Sequence, residues 1–269
     1  MSAGLGAAAS VGLGWQLLGR QPRLLLGFSA LGCGLQGLGW QLFALGHRAE
    51  SGIQALLLHG LGLVLYLGSL TWLIDGLSRA ALSLSAGRHS SWRRIGHWHG
   101  TRSWWLALGL LNGGVTASVL ALAGFIGGSL LLQLIEALGL AAVLGQQALV
   151  NLLPYPCSLL GAVVGLLSQL FNPSLVIGER LRPSQAYQRG WRVLNRHGAA
   201  LLRLLAWLAA ILLAPFLLLL LVQAGLTLLS LDLTPPIALL VFWPAMVTAL
   251  PLLACSVAAA YRQVSPEAR

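Results

Sequence analysis

The sequence predicts an all-α, polytopic integral membrane protein with six transmembrane helices in three pairs, each pair preceded by an interfacial amphipathic helix. Three observations carry this expectation. The chain of 269 residues is 57% hydrophobic and only 8% charged, more apolar surface than one water-soluble core encloses, so lipid must act as solvent. Apolar stretches of about 20 residues, the length that crosses about 30 Å of hydrocarbon, recur six times. The basic residues fall almost entirely in alternate connections between those stretches.

In chain order the predicted spans are Leu24–Gly46, Ile53–Ile74, Ser103–Ile126, Tyr155–Ile177, Ala199–Leu221 and Pro235–Ala260. The residues before the first, Met1 to Ser10, lack the positively charged leader of a signal peptide, so that span is expected to be retained. Proline marks several starts, because it is favoured in the first helical turn. Pro154 and Pro156 open span four, and Pro235 with Pro236 opens span six. Pro215, Pro244 and Pro251 lie inside spans five and six, where each removes a backbone donor and is expected to kink the helix.

All sixteen basic residues are arginine. Two precede span one, five separate spans two and three, six lie between span four and the start of span five, and two follow span six. Arg48 alone sits in an opposite connection. The positive-inside rule then puts both termini on the cytoplasmic side of a bacterial plasma membrane or an internal membrane. The net charge of +10 is explained by this topology; a nucleic-acid partner is not expected, since the arginines are separated by long apolar runs.

Residues 127–154 are nearly apolar enough for a seventh span. Arginine parity opposes a crossing, because it would set the arginines of 178–203 against those of 75–102. The segment is therefore expected to be a non-crossing helix or helical pair, re-entrant or lying in the outer interface. Asn112, Gln133 and Glu136 form a candidate polar cavity, with a simple wetted face as the plainer reading.

A short repeat organises the chain. Gly14-Trp15-Gln16-Leu17-Leu18-Gly19-Arg20 matches Gly190-Trp191-Arg192-Val193-Leu194-Asn195-Arg196 as G-W-x-aliphatic-L-x-R, and each copy runs into a span. A weaker Trp- and Arg-rich segment, from Ser91 through Trp105, precedes span three. One membrane domain, 1–269, is thus divided into units of about 1–74, 75–177 and 178–269. On a helical wheel with Tyr187 at zero, Trp191 falls at about 40° and Leu194 at about 340°, whereas Arg192, Arg196 and Arg189 fall at about 140°, 180° and 200°. Such a helix suits the membrane plane, with aromatics among acyl chains and guanidinium groups at anionic phosphates. Trp15, Arg20, Trp191, Arg189, Arg192 and Arg196 are the candidate lipid-headgroup residues, although simple anchoring of the bundle explains them as well.

The G-W-x-L-type helix, with Pro183-Ser184-Gln185-Ala186 at its start, resembles that of bacterial six-helix membrane proteins of the YciC-like type. It is also similar to the membrane domain fused to some glycerophosphodiester phosphodiesterases. The resemblance covers the architecture of most of the chain. It implies a lipid-facing membrane module and brings no catalytic residue, since the phosphodiesterase chemistry belongs to a separate soluble domain.

Chemistry is sparse. The six acids, Glu50, Asp75, Glu136, Glu179, Asp232 and Glu267, lie at span ends, in connections or in the tail, so no carboxylate pair is expected. His97 and His99 have no third ligand nearby, and Cys33, Cys157 and Cys255 lie singly in apolar segments. Neither a G-x-S-x-G elbow nor an H-E-x-x-H motif is present. No catalytic residue, metal or cofactor is expected. Small residues instead form ridges: Gly109, Gly113, Ala117 and Ala121 in span three and Cys157, Gly161 and Gly165 in span four stand at i,i+4 spacing, which predicts close packing of the two spans or self-association. Gln36 and Gln41 in the Gly-rich first span are expected to face other helices. Two functions compete: a non-enzymatic module for lipid organisation or assembly with a membrane-protein partner, and a small-solute transporter or permease subunit.

Overall fold

The computed structural model describes residues 6–138, 152–228 and 234–265. Among these the chain is helical, without strands: α1 (Ala7–Arg20), α2 (Pro22–Gly46), α3 (Gly52–Ser85), α4 (Trp92–Gly96), α5 (Thr101–Ala137), α6 (Pro154–Gln169), α7 (Asn172–Gly178), α8 (Pro183–Leu228) and α9 (Thr234–Val264). Five stretches are long and apolar enough to cross a membrane: Gly52–Ser85, Thr101–Ala137, Pro154–Gly178, Pro183–Gly225 and Phe242–Val264. The chain is therefore a multi-pass helical membrane protein. Helix α2 has the length of a span, 25 residues, but its glycines and Gln36 and Gln41 dilute its apolar character below that of the other five.

Glycine sets the helix packing. Antiparallel α2 and α3 meet where a Cβ on Gly62 would stand 2.6 Å from the Phe43 backbone nitrogen, and one on Gly39 would stand 2.8 Å from that of Tyr66. Helix α5 runs antiparallel to α6 and α7 along a longer seam. A Cβ on Gly165 would lie 2.5 Å from Ala117 Cα, one on Gly161 2.6 Å from the Leu120 carbonyl carbon, one on Gly128 2.7 Å from Pro154 Cα, and one on Gly109 2.6 Å from the Asn172 amide. Only hydrogen in place of a side chain permits such backbone approach, and without a hydrophobic drive in lipid this contact is what holds membrane helices together. Outward-facing Leu56, Leu111, Leu160 and Leu221, each about two-thirds exposed or more, present the surface that a bilayer would cover.

Residues 127–137 correct the expectation of a separate helix after span three. They continue α5 without a break, and Gly128 seats against Pro154. Gly128 and Pro154 thus lie together at one end of the α5/α6 seam; residues 139–151, on which the rest of that expectation falls, lie outside the described part. Gln41 also departs from expectation, being exposed, with Gln36 half-buried. Gln41 stands five residues before the end of α2.

Both repeat copies end at a backbone break immediately after their arginine. Helix α1 stops at Arg20, with Gln21 at φ −141°, and α8 is broken at His197, φ −129°. Each copy is thus a short helix hinged to a long one. The break in α8 falls there and not at Pro215.

The short helices dock on protein as well as facing outward. Ser10, Gly14, Leu17 and Leu18 of α1 are buried against α9, where the Gly6 amide donates to Gln263 Oε1 (2.9 Å) and Gln263 Nε2 donates to Ser10 Oγ (3.1 Å). Helix α4 lies on α3, with the Trp72 indole donating to the Gly96 carbonyl at 2.8 Å. The start of α8 lies on α6 and α7, with Gly190 against the Ser168 carbonyl. Each short helix rests on the helix that ends the preceding unit, and the first rests on the last.

Candidate functional site: the arginine-rich end

The last three turns of α3 form the centre of this end. From Asp75 to Ala81 every residue is buried, packed by α2, α4, α5, α7 and α9. Two of these residues carry charge. Arg79 Nη2 donates to Asp75 Oδ2 at 2.5 Å, one helical turn away, with Arg79 9% and Asp75 2% exposed. Ser103 Oγ, at the start of α5, donates to the same oxygen at 2.6 Å, and Arg79 Nη1 donates to the His97 carbonyl at 3.3 Å. The His99 amide donates to Ser103 Oγ at 3.1 Å. Such extra bonds offset part of the desolvation cost of a buried ion pair. Those to Asp75 all fall on Oδ2, while Asp75 Oδ1 is buried with no partner among the described residues, and together the bonds tie α3, the 97–100 turn and α5 into one unit.

Above this pair lies a cavity of about 340 Å³ lined by Arg79, Arg88, Arg94, Arg102, Arg180 and His99, with Leu82 and Ile177 as apolar wall. The arginines come from five places. Arg79 is buried on α3, Arg102 is half-buried on α5, and Arg88, Arg94 and Arg180 are exposed at the rim. Local backbone geometry delivers them: Gly87 and Gly100 take positive φ, 70° and 55°, at the turns that end α3 and start α5, a conformation glycine adopts without steric cost. Arg180 takes φ 58°, the only non-glycine residue with positive φ among those described. The Leu181 amide reaches back to the Leu175 carbonyl at 3.3 Å, and Arg180 follows the C-cap Glu179 at the C′ position where a left-handed glycine is usual.

Among the described residues there are two ion pairs, Asp75–Arg79 and Glu179–Arg189. Arg88, Arg94, Arg102 and Arg180 thus face the cavity with no carboxylate partner among the described residues. Arg262 is near enough to Arg88 for their charges to act on each other, which adds to the positive field.

The predicted headgroup residues lie around this end in different roles. Trp15 is 59% exposed. Arg20 is exposed and donates to the Leu84 carbonyl at 3.1 Å, capping α3. Arg192 and Arg196 are exposed, and Trp191 is half-buried beside Tyr187, ring centroids 6.3 Å apart. Arg189 belongs elsewhere: it pairs with Glu179 at 2.5 Å, and Glu179 also accepts from Tyr261 and, at 3.1 Å, from Ser265. That cluster fastens the start of α8 to α7 and α9. Gln21, at the α1/α2 break, accepts from the Ser90 amide at 3.1 Å and donates to the Ser90 carbonyl at 3.3 Å.

Among the described residues, Asn112, Gln133 and Glu136 do not line one cavity. All three are exposed on one continuous helix, and 21 residues at 1.5 Å each separate Asn112 from Gln133 by roughly 32 Å. The fold-back that would have brought them together is replaced by straight continuation of α5. The arginine cavity went unseen because its lining is drawn from five separated segments; the one local signal was the i,i+4 spacing of Asp75 and Arg79. In comparison with known proteins the chain matches no family model, no curated protein and no solved structure.

Proposed function

We propose that the chain is a non-enzymatic membrane module that gathers anionic phospholipid at its arginine-rich end. In this reading α2 is the sixth span, its 25 residues extending about 38 Å, and the six spans form three pairs, each led by an amphipathic helix. Both termini are cytoplasmic, in a bacterial plasma membrane or an internal membrane. The observation that carries the reading is the set of four arginines lacking carboxylate partners among the described residues, together with exposed Trp15, Arg192 and Arg196. Guanidinium groups left without counter-charge at a membrane surface attract anionic headgroups, about 1 kcal/mol each, and bind phosphate oxygens in a fork. The resemblance to YciC-like proteins and to phosphodiesterase-linked membrane domains agrees with this reading.

The test is the lipid that accompanies the full chain through purification in mild detergent. Anionic lipid should be enriched over its share of the source membrane, and an Arg192→Gln/Arg196→Gln variant should lose part of that enrichment. A lipid complement that mirrors the bulk membrane in both proteins would remove the proposal.

A further inference from the structure

We propose that the cavity formed by Arg79, Arg88, Arg94, Arg102, Arg180 and His99 is a one-per-chain site for a terminal phosphate group, a phosphomonoester. The inference rests on the reading that this end of the molecule meets anionic groups, and it names the group.

The floor of the cavity is built before any ligand arrives. Arg79 is held by Asp75, Ser103 and the His97 carbonyl. A guanidinium has five donors, and these three bonds leave two. Around that fixed floor stand four cations with no carboxylate partner among the described residues. A phosphodiester would bring one negative charge and two free oxygens to them. A terminal phosphate brings −1.5 to −2 charges and three strong acceptor oxygens, a closer match to guanidinium forks converging from five segments. Zwitterionic headgroups fit worst, because their ammonium would enter a cationic chamber. The volume of about 340 Å³ is at the small end of ligand pockets, about 300–1,000 Å³, enough for a phosphate and its first few attached atoms.

Arg180 adds a second indication. Holding a non-glycine residue in the left-handed conformation is unfavourable, and glycine would cap α7 without that strain. The side chain at this position is the one that lines the cavity rim, where glycine would contribute no charge.

The phosphate has two possible carriers, a lipid headgroup or a soluble ester, and the assay separates them. The full chain is reconstituted in nanodiscs of phosphatidylcholine containing 10% phosphatidate or, in parallel, 10% phosphatidylglycerol, and bound anionic lipid per chain is counted by native mass spectrometry. One phosphatidate per chain should be retained about tenfold more strongly than phosphatidylglycerol, and Arg94→Gln/Arg180→Gln should weaken it at least about tenfold. Both substituted residues are exposed, so the fold is expected to persist, as helical circular dichroism would verify. Arg192→Gln/Arg196→Gln, outside the cavity, should leave the tight molecule in place. sn-Glycerol 3-phosphate and inorganic phosphate are then added in solution: displacement at equal affinity assigns the site to a soluble ester, and failure to displace assigns it to lipid. Equal retention of the two lipids, or retention unaffected by Arg94→Gln/Arg180→Gln, overturns the site. In that event enrichment of anionic over zwitterionic lipid can persist, so failure of the cavity is distinguishable from failure of the broader reading.

Discussion

Substituting alanine along the α5/α6 seam separates packing from helix propensity within one helix pair. At Gly165 the new Cβ would lie 2.5 Å from Ala117 Cα, and ordinary contact begins near 3.4 Å, so the helices must part by ~0.9 Å. At Gly161 the obstacle is again backbone, the Leu120 carbonyl carbon at 2.6 Å and the Ala121 nitrogen at 3.1 Å. Neither yields by rotating a side chain, and such overpacking costs about 1–3 kcal/mol. At Gly113 the neighbour is the flexible Gln169 side chain at 3.2 Å, and at Gly114 nothing lies within 4 Å. Gly114→Ala should therefore show only the propensity gain of about 0.5–1 kcal/mol, and Gly113→Ala should be close to neutral. The propensity gain is common to both, so the expected spread from Gly114→Ala to Gly165→Ala is the packing cost, about 1–3 kcal/mol. Equilibrium unfolding in mixed micelles, followed by helical circular dichroism, measures it, and Gly161→Leu should be worse than Gly161→Ala. If Gly165→Ala and Gly161→Ala move the midpoint in the same direction as Gly114→Ala and by a similar amount, α5 and α6 do not meet along this line.

Asp75→Asn leaves Arg79 buried without its counter-charge and should cost about 3–5 kcal/mol, whereas Asp75→Leu combined with Arg79→Met should recover most of the loss; a single variant no less stable than the double would refute burial of the pair. Glu179→Gln weakens the hold on Arg189, Tyr261 and Ser265, worth about 1.5–3 kcal/mol for the charged bond. Hydrogen exchange across 183–196 should accelerate while that of 154–169 stays unchanged; protection equal to wild type would show that the start of α8 docks without this cluster. Gln21→Ala removes the two bonds to Ser90, about 1 kcal/mol each, and should speed exchange at 86–92, a result that would be absent if α4 and α3 alone fix that turn.

What the sequence revealed about this molecule was what is written locally. The ridge Gly109, Gly113, Ala117 and Ala121 repeats every fourth residue, so a close-packing face was readable before any fold was known, with span four and self-association as the two ways to cover it. The G-W-x-aliphatic-L-x-R copies each proved to end at a break, after Arg20 and after Arg196, because the same short helix must turn into the same long one. Two features were hidden. Gly127 and Gly128 resemble a helix stop, yet Gly128 is helical and serves as a contact with Pro154, a role set by a residue 26 positions away. The arginine cavity depends on Arg88, Arg94, Arg102 and Arg180 converging in space, and charge counted along a chain records which side of a membrane a residue takes but not which arginines become neighbours. Gly14 similarly gives no local hint that it will meet Ser256.

That last contact bears on biosynthesis. Helix α1 is translated well before α9, whose Ser256 and Gln263 form its seat. Until α9 is made, Ser10 and Gly14 lack their partners Gln263 and Ser256. Closing the circle is then a single late event that only a chain translated through α9 can perform, and a prematurely terminated product would display an unoccupied α1 to the quality-control proteases of its membrane.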